Sequence, residues 1–170
     1  MRERIRVLQI VQHAALGGAT LMAMLLAEEL DPDRYEMALA TGPQTGSEGS
    51  LLGEMRAIGV PVHIIPDLVR SPHPVNDIRA VGELRDLFKS FKPHIVDTHG
   101  SKSKLLTPWA AALAPVPVKV AHISGWEWHP AKTALQRRLY VQGSRLRVRD
   151  YDCLIAISKA VRQQGLDRGV

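Results

Sequence analysis

Gly17 and Gly18, in "VQHAALGGATL", stand where a ligand is most easily held. They follow an apolar run that reads as a strand over 6–12 and open a run that reads as a helix over 19–30. Glycines at such a junction let the backbone turn tightly and let a ligand approach with no Cβ in the way. The helix start adds unpaired N–H groups and a partial positive charge, which suit an anion and above all a phosphate. A plain strand-to-helix turn uses the same residues. A dinucleotide site asks for G-x-G-x-x-G and an acidic residue closing the second strand. Here the glycines are adjacent and the second strand ends "LATGPQ", so a nicotinamide cofactor is disfavoured. "HGSKSK" lacks the spacing of a nucleotide-binding P-loop.

A second junction of the same kind lies at "IVDTHGSKSKLL". His99 closes its strand and can face a cleft, Ser101 is a candidate helix N-cap, and Lys102 and Lys104 bring charge beside the helix start. Ordinary capping with two solvated lysines is the plainer account of those residues. Asp97 is placed to orient a histidine, to act on a hydroxyl, or to cap. Other chemistries find no support. There is no H-E-x-x-H, no cysteine pair and no His–carboxylate cluster at metal-ligand spacing along the chain, so no metal site is expected. No G-x-S-x-G elbow occurs. The basic residues lack the interleaved aromatics of a nucleic-acid binder, and nucleic acid is not expected as a partner.

The elements that must position these residues are legible in the apolar pattern. Strands are predicted over 6–12, 35–41, 61–66, 94–99, 118–123 and 153–158, and helices over 19–30, 50–58, 76–91, 101–113, 132–148 and 158–165. Alternating strands and helices with near-continuous apolar strands predict an α/β fold, a Rossmann-like, doubly wound, mainly parallel sheet with helices on both faces. Ligands in such sheets bind beyond the carboxyl ends of the strands, at the switch in strand order. That edge gathers "HAALGGAT", "TGPQTGSEGS", "THGSKSK", "HISGWEWHP" and "ISKA", with His13, His99, His122, His129, Trp126 and Trp128.

The 170 residues suit one domain, with 45% hydrophobic and 23% charged side chains. The single cysteine, Cys153, excludes an internal disulfide and fits a reducing, cytoplasmic setting. Gln9, Gln12 and His13 interrupt the first apolar run, so it reads as a strand and not as a signal peptide. The run 105–121 carries three prolines and cannot form a spanning helix. Charge is uneven. Residues 1–118 hold 12 basic and 13 acidic side chains, a net of −1, whereas residues 119–170 hold 10 and 4, a net of +6. Arg137, Arg138, Arg145, Arg147 and Arg149 dominate the excess, as a solvated helix face or as a contact for an anionic membrane or another acidic partner.

Taken in order, "VLQIVQHAALGGATLMAMLLAEEL", "LATGPQTGSEGSLLGEMRAIGVPVHIIP", "FKPHIVDTHGSKSKLL", "PVKVAHISGWEWHP" and "YDCLIAISKAV" resemble the N-terminal, acceptor-side domain of family-four glycosyltransferases. These are retaining enzymes of the GT-B fold. The resemblance implies a nucleotide-sugar donor, a glycan or lipid-linked acceptor, no metal or other cofactor, and a second Rossmann-like domain that carries most of the donor site. It places Gly17, Gly18 and Thr20 near the donor diphosphate. It also lines the cleft with His99, Ser101, Lys102, His122, Ser124 and Trp126, Trp126 or Trp128 offering an apolar face to the acceptor. Two positions depart from the family pattern. Asp97 stands where "HTH" is usual, and Ser124 stands where a histidine before Gly-Trp contacts the transferred sugar. The chain ends where the donor domain would follow, so the isolated chain is expected not to catalyse transfer alone. The expected location is the cytoplasm, with peripheral contact at the inner membrane surface through Arg137–Arg149. A noncatalytic binding module of the same fold, or a partner subunit, is the alternative, and a sugar-nucleotide epimerase is a third reading.

Overall fold

A computed structural model describes residues 3–43, 49–71, 73–126, 128 and 133–170. Strands and helices alternate throughout: β1 (Ile5–His13), α1 (Gly18–Glu29), β2 (Tyr35–Gly42), α2 (Leu52–Ala57), β3 (Val62–Ile64), α3 (Pro74–Phe91), β4 (Ile95–His99), α4 (Ser101–Leu113), β5 (Val118–Ile123), α5 (Ala134–Val148), β6 (Cys153–Ala156) and α6 (Lys159–Leu166). The six strands form one sheet in the order β3-β2-β1-β4-β5-β6, and every neighbouring pair is parallel. The doubly wound expectation holds. The strand order reverses between β1 and β4, which sets the switch point, and with it the expected ligand site, beside Gly17 and His99.

Each strand is buried on both faces where helices cover it, which is why the sequence reads as continuous apolar runs. On one face Leu8, Ile10, Ala38, Ala40 and Val96 pack with Ala80, Leu84 and Phe88 of α3 and Leu106 and Ala110 of α4. On the other, Val11 and Leu39 pack with Ala23 of α1, Met55 of α2 and Val60. β3 and β6 are shorter than the apolar runs that predict them. β6 is an edge strand whose side chains are largely exposed, so its apolar run does not signal burial here.

Two local features fix α4, which carries the second junction. Its N-cap is Gly100 with φ 91°, and Ser101 is the first helical residue rather than the cap expected from sequence. Only glycine tolerates that φ cheaply, so the turn off β4 is set by Gly100. Ser103 Oγ closes the turn by donating to the His99 carbonyl. One turn further on, Pro108 lies inside the helix. It has no N–H to give to the carbonyl of Lys104. The Tyr151 hydroxyl donates to that oxygen instead, at 2.9 Å. Burial pushes the Tyr151 hydroxyl far up from its ordinary value, so it stays protonated and remains a donor.

Candidate functional site

The carboxyl ends of β1 and β4 and the start of α1 border a cleft of about 190 Å³, open to solvent and lined by Gln12, His13, Leu16, Gly17, Gly18, Thr20, His99 and Gly100 among others. Gly17 caps α1 with an extended backbone (φ −171°) and no side chain caps the helix. The first turn of α1 holds no acidic residue, so its N–H groups point toward the cleft without a competing anion. Thr20 is buried, and its hydroxyl donates to the His13 carbonyl at 3.4 Å, tying α1 back to β1.

Neither glycine is required by the local fold. A Cβ on Gly18 would meet nothing within 4 Å, and one on Gly17 would only touch the Ala15 carbonyl at 4.0 Å. Neither has a positive φ. The space in front of the pair is open.

The floor is a polar cluster on one sheet face. In parallel register His99 pairs with His122, Val11 with His99, and Gln9 with Asp97. Side chains two apart along a strand share a face, so Gln9, Asp97, His99 and His122 converge. His99 Nε2 lies 3.2 Å from Gln9 Oε1 and 3.5 Å from Asp97 Oδ2. His122 Nε2 lies 3.1 Å from Asp97 Oδ1. The two imidazoles stack with centroids 4.2 Å apart at 25°. Burial pushes the Asp97 carboxyl up, but its close contacts with His122 and His99 outweigh that and hold it below the ordinary carboxylate value. Asp97 is therefore ionised and orients both rings, the first of the roles its strand-end position allows.

The structure brings Gly17, Gly18, Thr20 and His99 to one cleft, with His122 directly behind His99. It does not bring the other expected residues there. Ser101 is exposed on α4. Lys102 is buried and turned away: its Nζ meets Asp77 of α3 at 2.6 Å, the Val69 carbonyl at 2.8 Å and the Ser71 carbonyl at 2.5 Å. Ser124 is exposed after β5. Trp126 donates from Nε1 to the Val161 carbonyl at 2.8 Å and stacks on Trp128 with centroids 4.5 Å apart. A Cβ on Gly165 would meet Trp126 Cζ2 at 2.6 Å, so α6 closes on the ring. His129 lies outside the described residues. Gln9 and Gln12 join the site without having been singled out for it. Their signal was their polarity inside an otherwise apolar strand.

On α5, Leu135, Leu139 and Leu146 are 68%, 64% and 65% exposed. Spacings of four and seven put them on one stripe, and Arg138 and Arg149, both exposed, each follow a leucine by three residues. Among the described residues no helix is long and apolar enough to cross a membrane.

A family model described as a glycosyl transferase 4-like domain matches residues 17–170. No match was found among curated proteins. Among solved structures, Anabaena Alr3699/HepE in complex with UDP and glucose aligns with a TM-score of 0.70 at 14% identity, over 98% of this chain and 42% of that one. The lipopolysaccharide outer core galactosyltransferase WaaB in its apo form aligns with a TM-score of 0.66 at 12% identity, over 98% and 43%. A UDP-N-acetylglucosamine 2-epimerase of Listeria monocytogenes, so described with the word putative, aligns with a TM-score of 0.63 at 16% identity, over 99% and 43%. At these identities the structures share the fold with this chain, which spans less than half the length of each.

Proposed function

Because the chain belongs to the glycosyl transferase 4-like family, we propose that it is the acceptor-side half of a retaining glycosyltransferase that moves a sugar from a nucleotide-sugar donor to a glycan or lipid-linked acceptor. The observation that carries this reading is the open, glycine-fronted helix start at the switch point. Gly17 and Gly18 leave room for a diphosphate to sit on the uncapped N-terminus of α1, and His99 faces the same cleft. The donor's nucleoside and most of its sugar contacts belong to a second domain facing this edge. Leu16 and Ile157, at the carboxyl ends of β1 and β6, are 67% and 62% exposed, as suits a surface that another domain covers. One wall cannot exclude water or orient both substrates, so the isolated chain binds donor weakly and does not transfer.

The leucine stripe of α5 with Arg138 and Arg149 supports an acceptor held at an anionic membrane surface, where the leucines enter the interface and the arginines meet phosphate headgroups. In vesicle flotation the chain is expected to float with vesicles containing phosphatidylglycerol and not with pure phosphatidylcholine. Changing Arg138 and Arg149 to Glu should abolish flotation. Flotation unchanged by that double substitution would remove the membrane from the account.

The donor is tested by saturation-transfer NMR with UDP-, GDP- and ADP-sugars, each competed with inorganic pyrophosphate. Signal from one nucleotide class that pyrophosphate displaces is the expected result. A noncatalytic module is the second reading, favoured by Ser124, which puts a short hydroxyl where the family carries an imidazole. Absence of signal from all three classes would move the weight to that module.

A further inference from the structure

Three successive carbonyls between β3 and α3 are held by residues from elsewhere in the fold. Lys102 Nζ of α4 donates to the Val69 carbonyl at 2.8 Å and to the Ser71 carbonyl at 2.5 Å. Between them, the Arg70 carbonyl lies 3.5 Å from Gln12 Nε2 of β1. The Gln12 side chain rests in turn on Gly100, where a Cβ would meet its Cβ at 3.4 Å. Leu68, 1% exposed, sets the segment in the core. Taking an ammonium group out of water is costly, and apolar residues fill such places as well or better. What Lys102 adds, beyond its pair with Asp77, is a fixed backbone around Arg70, which is exposed. Loops held on a rigid scaffold are where binding residues concentrate.

The place of this segment is the second observation. Gln12 and Gly100 line the cleft, so the segment that Gln12 touches runs along the cleft's rim. Among the described residues the lining itself holds no lysine or arginine. α1 packs on the sheet face of Val11, whereas the segment leads into α3, which packs on the opposite face with Ile10. Arg70 and the Gly17–Gly18 turn therefore stand on opposite sides of the end of β1. A diphosphate on the start of α1 already has its anion site, so a cation fixed on the other side suits a different anion.

Resting on the reading of this edge as one wall of a glycosyltransferase, we propose that Arg70 is a specificity residue that binds an anionic group of the acceptor, a phosphate or a carboxylate. The guanidinium fork matches either group through two parallel N–H···O bonds. Lys102 is a positioning residue here: it acts through the carbonyls of Val69 and Ser71 and touches no ligand. A neutral glycan lacks the group that Arg70 selects.

The test is a titration of the ¹⁵N-labelled chain with glucose 6-phosphate, glucuronic acid and glucose, at about 0.15 M salt so that diffuse attraction is screened. The readout is the Arg70 Nε–H signal, assigned by its loss in Arg70→Gln, together with the amides of Ser71 and Gly100. The expected result is a saturable shift with an anionic sugar and none with glucose. Response to glucose 6-phosphate alone assigns a phosphate, and response to glucuronic acid alone a carboxylate. Arg70→Gln should weaken binding by roughly tenfold or more, the worth of a hydrogen bond to a charged group. Arg70→Lys, which keeps the charge and loses the fork, should restore only part of it. Arg56→Gln, on the exposed side of α2, should change nothing. No shift at Arg70, equal shifts at Arg56, or binding undiminished in Arg70→Gln would overturn the proposal. A nucleotide-sugar signal without any anion response would sink this inference and leave the donor reading standing. An anion response at Arg70 without any nucleotide-sugar signal would do the reverse.

Discussion

Gly42→Ala is expected to destabilise the fold by more than about 3 kcal/mol. Gly42 ends β2, and a Cβ built there would lie 2.0 Å from the Leu68 carbonyl oxygen and 2.6 Å from that of Gln12. Both are backbone atoms, so neither can swing aside as a long side chain does. Relief requires β2 to move against β1 or against the segment after β3, and both are packed on the core through Leu8, Ala40 and Leu68. Overpacking in ordinary core positions costs about 1–3 kcal/mol, and a clash between backbones at this distance belongs above that range. Against a typical stability of about 5–15 kcal/mol, urea unfolding should show a midpoint lowered by a third or more. A midpoint within error of the wild type would mean that the β2 terminus is placed wrongly.

The next largest effect is expected at Lys102. Its ammonium group is buried and joined to the Asp77 carboxylate and to two carbonyls of the 69–71 segment. It thereby pins the start of α3 to α4. Lys102→Met leaves Asp77, itself mostly buried, without its counter-charge, and breaking such a pair costs about 3–5 kcal/mol. Lys102→Met combined with Asp77→Leu removes both charges and should recover a large part of the loss, since the penalty lies in the orphaned carboxylate. Below the unfolding transition both variants should bind donor as the wild type does. Loss of binding at full stability would instead return Lys102 to the cleft.

These two residues also mark how far the sequence carries a reading. The alternation of strand and helix was legible because the central strands of a parallel sheet are apolar on both faces, and all six strands and six helices stand close to where the pattern puts them. The glycine pair and His99 were legible from their places at strand ends. What depends on tertiary register was not. Lys102 looks like cleft charge until α3 delivers Asp77 from 25 positions upstream. Ser101 has the composition of an N-cap, but the positive φ that shifts the cap to Gly100 is a property of the backbone. Asp97, His99 and His122 appear as two unrelated strand ends until β4 and β5 pair. Trp126 reads as a surface for ligand, while the hydrogen bond to Val161 that occupies it depends on where α6 comes to rest.

The central claim is that a donor diphosphate sits on the uncapped start of α1 in front of Gly17 and Gly18. The measurement that meets it most directly is saturation-transfer NMR of the responding nucleotide sugar with wild-type chain and Gly18→Leu, paired with thermal unfolding of both. A Cβ on Gly18 touches nothing within 4 Å, and the residue needs no positive φ. Leucine should therefore leave the midpoint within a few degrees of the wild type, since a surface substitution away from such constraints shifts stability by only about 0.5 kcal/mol. The account predicts that the transfer signal disappears in a variant that melts like the wild type, because the side chain occupies the diphosphate's space. An undiminished signal from folded Gly18→Leu would place the donor elsewhere and contradict the claim.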